Sequence, residues 1–105
     1  MNENNQDQCI ESALACLRAC ERCVDCCAGQ EGMQACLKLC LECSDACLAC
    51  VRAMARGSAH AAQWCQLCAE ICEACASECA RHEAQACQDC ADACRRCAEA
   101  CRAAA

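Results

Sequence analysis

Cys65-Gln66-Leu67-Cys68-Ala69-Glu70-Ile71-Cys72-Glu73-Ala74-Cys75-Ala76-Ser77-Glu78-Cys79 decides the fold of this chain. Its cysteines advance by three, four, three and four residues. That alternation is the a/d pattern of a heptad, and on a helix it lines all the sulfurs along one stripe. No proline or glycine interrupts the stretch, and its Ala, Leu and Glu residues favour helix. The ladder recurs at Cys36, Cys40, Cys43, Cys47 and Cys50, and again at Cys87, Cys90, Cys94, Cys97 and Cys101. A further ladder opens the chain at Cys9, Cys16, Cys20, Cys23 and Cys27, with Ala13 at the missing rung. Cys26 stands one residue out of phase.

Break signals separate the ladders. Gly29 and Gly32 flank Glu31 after the first, and Gly57-Ser58 follows the second, with Ser58 as the expected N-cap of the third helix. No glycine divides the third from the fourth, and the turn is placed at Arg81-His82-Glu83. The reading is therefore all-α: an antiparallel up-down-up-down four-helix bundle with a cysteine-lined core. It treats residues 1–105 as one domain, with helices at roughly 5–28, 32–55, 59–81 and 84–103. Beside the stripes run aliphatic rows: Ile10, Leu14, Leu17 and Val24; Leu37, Leu41, Leu48 and Val51; Trp64, Leu67 and Ile71. They are expected to seal the seams between helices. Ala91 and Ala98 take their place on the fourth helix, which should pack close. Glu42, Asp45, Glu70, Glu73, Asp92, Arg95 and Glu99 belong to a solvated face.

Composition narrows the function. The chain has 105 residues, 21 of them cysteine, with no Phe or Tyr and one Trp. Large aliphatics are too few for an ordinary core. The net charge of −6 argues against nucleic-acid binding. No apolar run can span a bilayer. The start, Met1-Asn2-Glu3-Asn4-Asn5-Gln6-Asp7-Gln8, lacks the basic and apolar regions of a secretory signal. A cytosolic location is expected, where thiols stay reduced. An odd number of cysteines also cannot pair completely within one chain.

One buried cysteine packs like a small apolar residue. Some twenty of them would fill a core poorly, so packing alone does not call for cysteine at nearly every a and d position. Metal binding does. Soft thiolates select Cu(I), zinc or iron–sulfur clusters. Zinc sites of four thiolates would each bury two negative charges. Bacterial cluster motifs group their cysteines as C-x2-C-x2-C-x3-C-P, whereas here the spacing is helical and no proline follows. Cu(I) takes two or three thiolates, and each thiolate can bridge two ions. Roughly one Cu(I) per thiolate then leaves the core neutral. The expected function is storage of many Cu(I) ions along the bundle axis, without catalysis. An iron–sulfur electron carrier and a zinc or thiol buffer are the alternatives.

The chain also resembles the cytosolic bacterial copper storage proteins, in Cys65-Gln66-Leu67-Cys68-Ala69-Glu70-Ile71-Cys72-Glu73-Ala74-Cys75, in Glu78-Cys79, Arg81-His82 and Cys87-Gln88-Asp89-Cys90, and in Cys97-Ala98-Glu99-Ala100-Cys101-Arg102. The resemblance covers nearly the whole chain. It implies a Cys-rich four-helix bundle carrying many Cu(I) ions and assembling as a homotetramer. A copper chaperone or copper-enzyme recipient is the implied exchange partner. In that family, histidines between the third and fourth helices line the open end of the bundle. His82 matches one such position, and Ala84 and Ala86 stand at its neighbours. His82 is read either as a metal contact or as an exposed turn residue. Met33 and Cys26 lie at the same end, while His60 and Met54 lie at the other. Met54 continues the phase of the second ladder and is read as core packing.

Overall fold

The computed structural model describes residues 3–105. Met1 and Asn2 lie outside the described residues. Four helices follow in order: α1 (Glu3–Cys27), α2 (Gln34–Ala55), α3 (Ala61–Cys79) and α4 (Gln85–Ala104). Each packs against its two neighbours and not across the diagonal, giving an antiparallel bundle 42 × 17 × 17 Å. The all-α, up-down-up-down architecture is the one the cysteine periodicity specified.

Local chemistry sets the helix ends. At the end of α2, Gly57 adopts φ +65°, and its N–H bonds the Met54 carbonyl while the Ser58 N–H reaches Ala53. This is a Schellman closure, whose left-handed residue favours glycine. Gly29 (φ +75°) and Gly32 (φ +79°) also take the left-handed conformation, in a connection closed by Gln30 N–H to the Cys27 carbonyl and Met33 N–H to the Gln30 carbonyl. The glycine-free α3–α4 turn uses a different device. Arg81 and His82 N–H groups bond the Glu78 and Cys79 carbonyls, so the chain tightens into i→i+3 turns that need no left-handed residue. α3 consequently ends at Cys79 instead of near residue 81.

Two expectations are corrected. Ser58 is not the N-cap of α3: His60 holds that position without a side-chain bond. The Ser58 hydroxyl instead accepts the His60 N–H at 3.0 Å, and its carbonyl accepts the Ala61 N–H at 3.1 Å, forming a turn ahead of the helix. The aliphatic rows also seal less than expected. Ile10, Leu17, Val24, Leu37, Val51 and Ile71 pack against the core, but Leu14, Leu41, Trp64 and Leu67 are 41–47 % exposed. Leu14, Leu41 and Leu67 hold positions farther round the helix from the stripe, whereas Trp64 shares its heptad position with Ile71 and is exposed near the start of α3. Buried alanines, among them Ala69, Ala76, Ala91 and Ala98, close the α3–α4 side, where small side chains let the backbones approach.

Candidate metal centre

Twenty of the 21 cysteines are buried, none is in a disulfide, and Cys26 alone is partly exposed. Because neighbouring helices run antiparallel, the ladders align into layers. Nearest the end that holds the α1–α2 and α3–α4 turns, Cys23 lies 3.8 Å from Cys36 and 3.7 Å from Cys87, and Cys36 lies 3.5 Å from Cys79. Next come Cys20, Cys40, Cys75 and Cys90, with Cys90 3.7 Å from Cys20 and Cys40 3.9 Å from Cys75 and Cys90. In the central layer Cys43 lies 3.5 Å from Cys72, 3.7 Å from Cys16 and 3.8 Å from Cys94. Cys47 and Cys68 meet at 4.0 Å in a layer completed by Cys97 and, in place of a fourth sulfur, by the fully buried Ala13. The far layer joins Cys9 to Cys101 at 3.5 Å and Cys50 to Cys65 at 3.7 Å.

The layers are themselves connected. Cys16–Cys20, Cys40–Cys79, Cys68–Cys72, Cys90–Cys94 and Cys97–Cys101 contacts of 3.6–3.9 Å run along the axis. Sets of four sulfurs lie within 4.8 Å of one another: Cys16, Cys43, Cys47 and Cys72; Cys16, Cys20, Cys43 and Cys94; Cys20, Cys75, Cys90 and Cys94; Cys23, Cys40, Cys79 and Cys90; and Cys23, Cys27, Cys36 and Cys87. A metal–thiolate bond of about 2.3 Å lets one ion span sulfurs up to about 4.6 Å apart. Consecutive sets share members, so the sulfurs form one continuous string.

Burial keeps the thiols neutral where the string meets its mouth. It pushes Cys27 up to about 11 and Cys87 up to about 12, and raises Cys36 as well. Inside the web, hydrogen bonds between neighbours shift the thiols in opposite directions: the one with Cys20 draws Cys90 down, while the one with Cys16 pushes Cys20 up.

Cys26, Met33 and His82 border one cleft with Gln30, Glu31, Glu83 and Ala84, so the structure brings together the three mouth residues singled out in the sequence. His82 is half-buried, and its Nε2 lies 2.7 Å from Glu78 Oε2. Gln88 ties the same turn down by donating to the His82 carbonyl at 2.6 Å. A carboxylate on Nε2 orients the ring and leaves Nδ1 for a metal. The sequence reading did not single out Glu78, although its i, i+4 spacing from His82 was the available signal. His60, by contrast, is exposed at the opposite end. Met54 is 4 % exposed, with the Cys65 S–H directed at its sulfur at 3.4 Å. Among the described residues, no helix is long and apolar enough to cross a membrane.

The copper storage protein family matches residues 2–105. This chain belongs to the copper storage protein family. Apo copper storage protein 3 from Bacillus subtilis is 43 % identical, with a TM-score of 0.88 over 92 % of this chain and 95 % of that one. The Cu(I)-bound form of the Bacillus protein matches at 40 % identity and TM-score 0.88, over 94 % of this chain and 96 % of that one. A cytosolic copper storage protein from Streptomyces lividans, loaded with five coppers, is 33 % identical, with a TM-score of 0.90 over 95 % of this chain and 91 % of that one. No curated protein is similar to the chain at a significant level.

Proposed function

We propose that this copper storage protein holds Cu(I) as a chain of thiolate-bridged ions along the bundle axis. The ligands are Cys9, Cys16, Cys20, Cys23, Cys27, Cys36, Cys40, Cys43, Cys47, Cys50, Cys65, Cys68, Cys72, Cys75, Cys79, Cys87, Cys90, Cys94, Cys97 and Cys101, while Cys26 and His82 serve the mouth. The observation that carries this is the sharing of sulfurs between successive sets of four. Zinc sites of four thiolates would each bury two negative charges along the axis. An iron–sulfur cluster places iron and sulfide between its cysteines, whereas these sulfurs already touch at 3.5–4.0 Å. Bridging Cu(I) uses the contacts as they stand.

Each ion replaces about one thiol proton, so the buried axis remains neutral at every stage of filling. Storage without turnover fits a ligand set sealed from substrate. The family likeness supports a cytosolic working compartment and exchange with a copper chaperone or copper-enzyme recipient. It also supports a homotetramer, for which exposed Leu14, Leu41, Trp64 and Leu67 provide apolar surface. Sedimentation of the apo chain should give the tetramer mass.

Anaerobic Cu(I) titration with a pH-stat tests the storage reading. Bound copper should rise until it approaches the number of axial thiols, with about one proton released per ion. Saturation at one or two ions would overturn it.

A further inference from the structure

We propose that Met54 is itself a copper ligand, a neutral thioether donor that ends the thiolate string. The proposal rests on the storage reading above. Met54 is four residues beyond Cys50 and so continues the four, three, four, three progression of α2 by one more step. It lies on the axis and is 4 % exposed. Its sulfur stands 3.4 Å from Cys65, which is 3.7 Å from Cys50. This spacing matches that between the thiols, and the S–H···S contact marks where an ion can replace a proton.

The ion chemistry at this end calls for such a donor. Sulfurs in the middle of the string have partner layers on both sides. The layer of Cys9, Cys50, Cys65 and Cys101 has cysteines on one side only; on the other, the heptad register brings Met54 level with Ala61 and Ala104, both buried and neither a donor. An ion seated at the outer edge of this layer meets thiols from one side, and Met54 is the soft donor that faces it from the other. A thiolate would add a negative charge to a dry region, whereas a thioether adds a soft sulfur and no charge. The Schellman closure at Gly57 bonds the Met54 carbonyl and fixes the backbone from which the sulfur projects.

Methionine also fills irregular gaps well, so the test must separate ligation from filling. The full chain is labelled with selenomethionine, loaded with Cu(I), and read by selenium X-ray absorption. The M33L variant removes the methionine at the mouth, and M33L/M54L leaves only Met1 as background. The expected result is a selenium–copper path in M33L that disappears in M33L/M54L. M54L alone, which preserves bulk, should bind about one fewer Cu(I) with unchanged helicity. A normally loaded M33L chain without a selenium–copper path would overturn the ligand role and leave storage standing. A chain that saturates at one or two ions would overturn both.

Discussion

The two ends of the bundle receive the same sulfur string and finish it in opposite ways. At one end, Cys27 is followed by a cleft of half-exposed Cys26, Met33 and His82. At the other, Met54, Ala61 and Ala104 are buried, and Met54 touches the last thiol layer. The difference lies in the connections. The last turn of α1 and the α1–α2 and α3–α4 connections place three partly exposed donor side chains, Cys26, Met33 and His82, around one cleft. At the opposite end Met54 of α2, Ala61 of α3 and Ala104 of α4 are buried on the axis, and Asn5 donates to the Ala103 carbonyl beside them. The bundle therefore has a mouth and a floor, although its repeated ladder is nearly symmetric along the axis.

Substitutions at the two methionines break this comparison most strongly. M54A should cost the apo protein about 2–4 kcal/mol, because it empties a filled core site. M33A should cost about 0.5 kcal/mol or less, as expected of a partly exposed residue at a turn. Chemical denaturation of both variants reads the contrast, and equal losses would remove the distinction between floor and mouth. G57A should cost about 1 kcal/mol, since a Cβ at φ +65° is strained although nothing crowds it. The corresponding fall in apo melting temperature is about 4–8 °C.

Alkali should act on the mouth. Burial holds Cys27 near 11 and Cys87 near 12, above the 9.0 of an unfolded thiol. Both groups therefore favour the fold while protonated. Their contribution is complete below pH 9 and is lost as pH rises through 11 to 12. Apo melting temperatures should fall across that window, and a C87A variant should fall less steeply. The smallest effect concerns access. C26A/H82A should fill to nearly the same copper content as the parent, but on the order of a few-fold more slowly in stopped flow. An unchanged uptake rate would leave the cleft without a role in loading.

Most of this was legible in the sequence because sulfur placement follows helix periodicity alone. Cys65 through Cys79 fixes a stripe whatever surrounds it, and four such stripes leave a bundle as the way to bury them. The missing rung at Ala13 was legible for the same reason, and it sits fully buried in the layer with Cys47, Cys68 and Cys97. Features that depend on geometry between elements were harder to read. Ser58 carries the right chemistry for an N-cap, but the tight turn through His60 delays the helix by two residues. Leu14, Leu41, Trp64 and Leu67 looked like seam residues because they neighbour the stripe in sequence. Angular distance around the helix turns Leu14, Leu41 and Leu67 outward, while Trp64, in the same heptad position as the packed Ile71, is exposed near the start of α3. Met54 showed its phase but not the 3.4 Å approach to Cys65, which depends on the packing of α2 against α3.

The neutral thiol axis also affects how the protein looks from outside. If every copper replaces one proton, an empty bundle and a full one carry the same net charge of −6 on the same surface. Long-range electrostatics then cannot advertise how much metal is inside. A partner that must tell a donor from an acceptor can do so only by contact at the mouth, where the filling state becomes chemically visible.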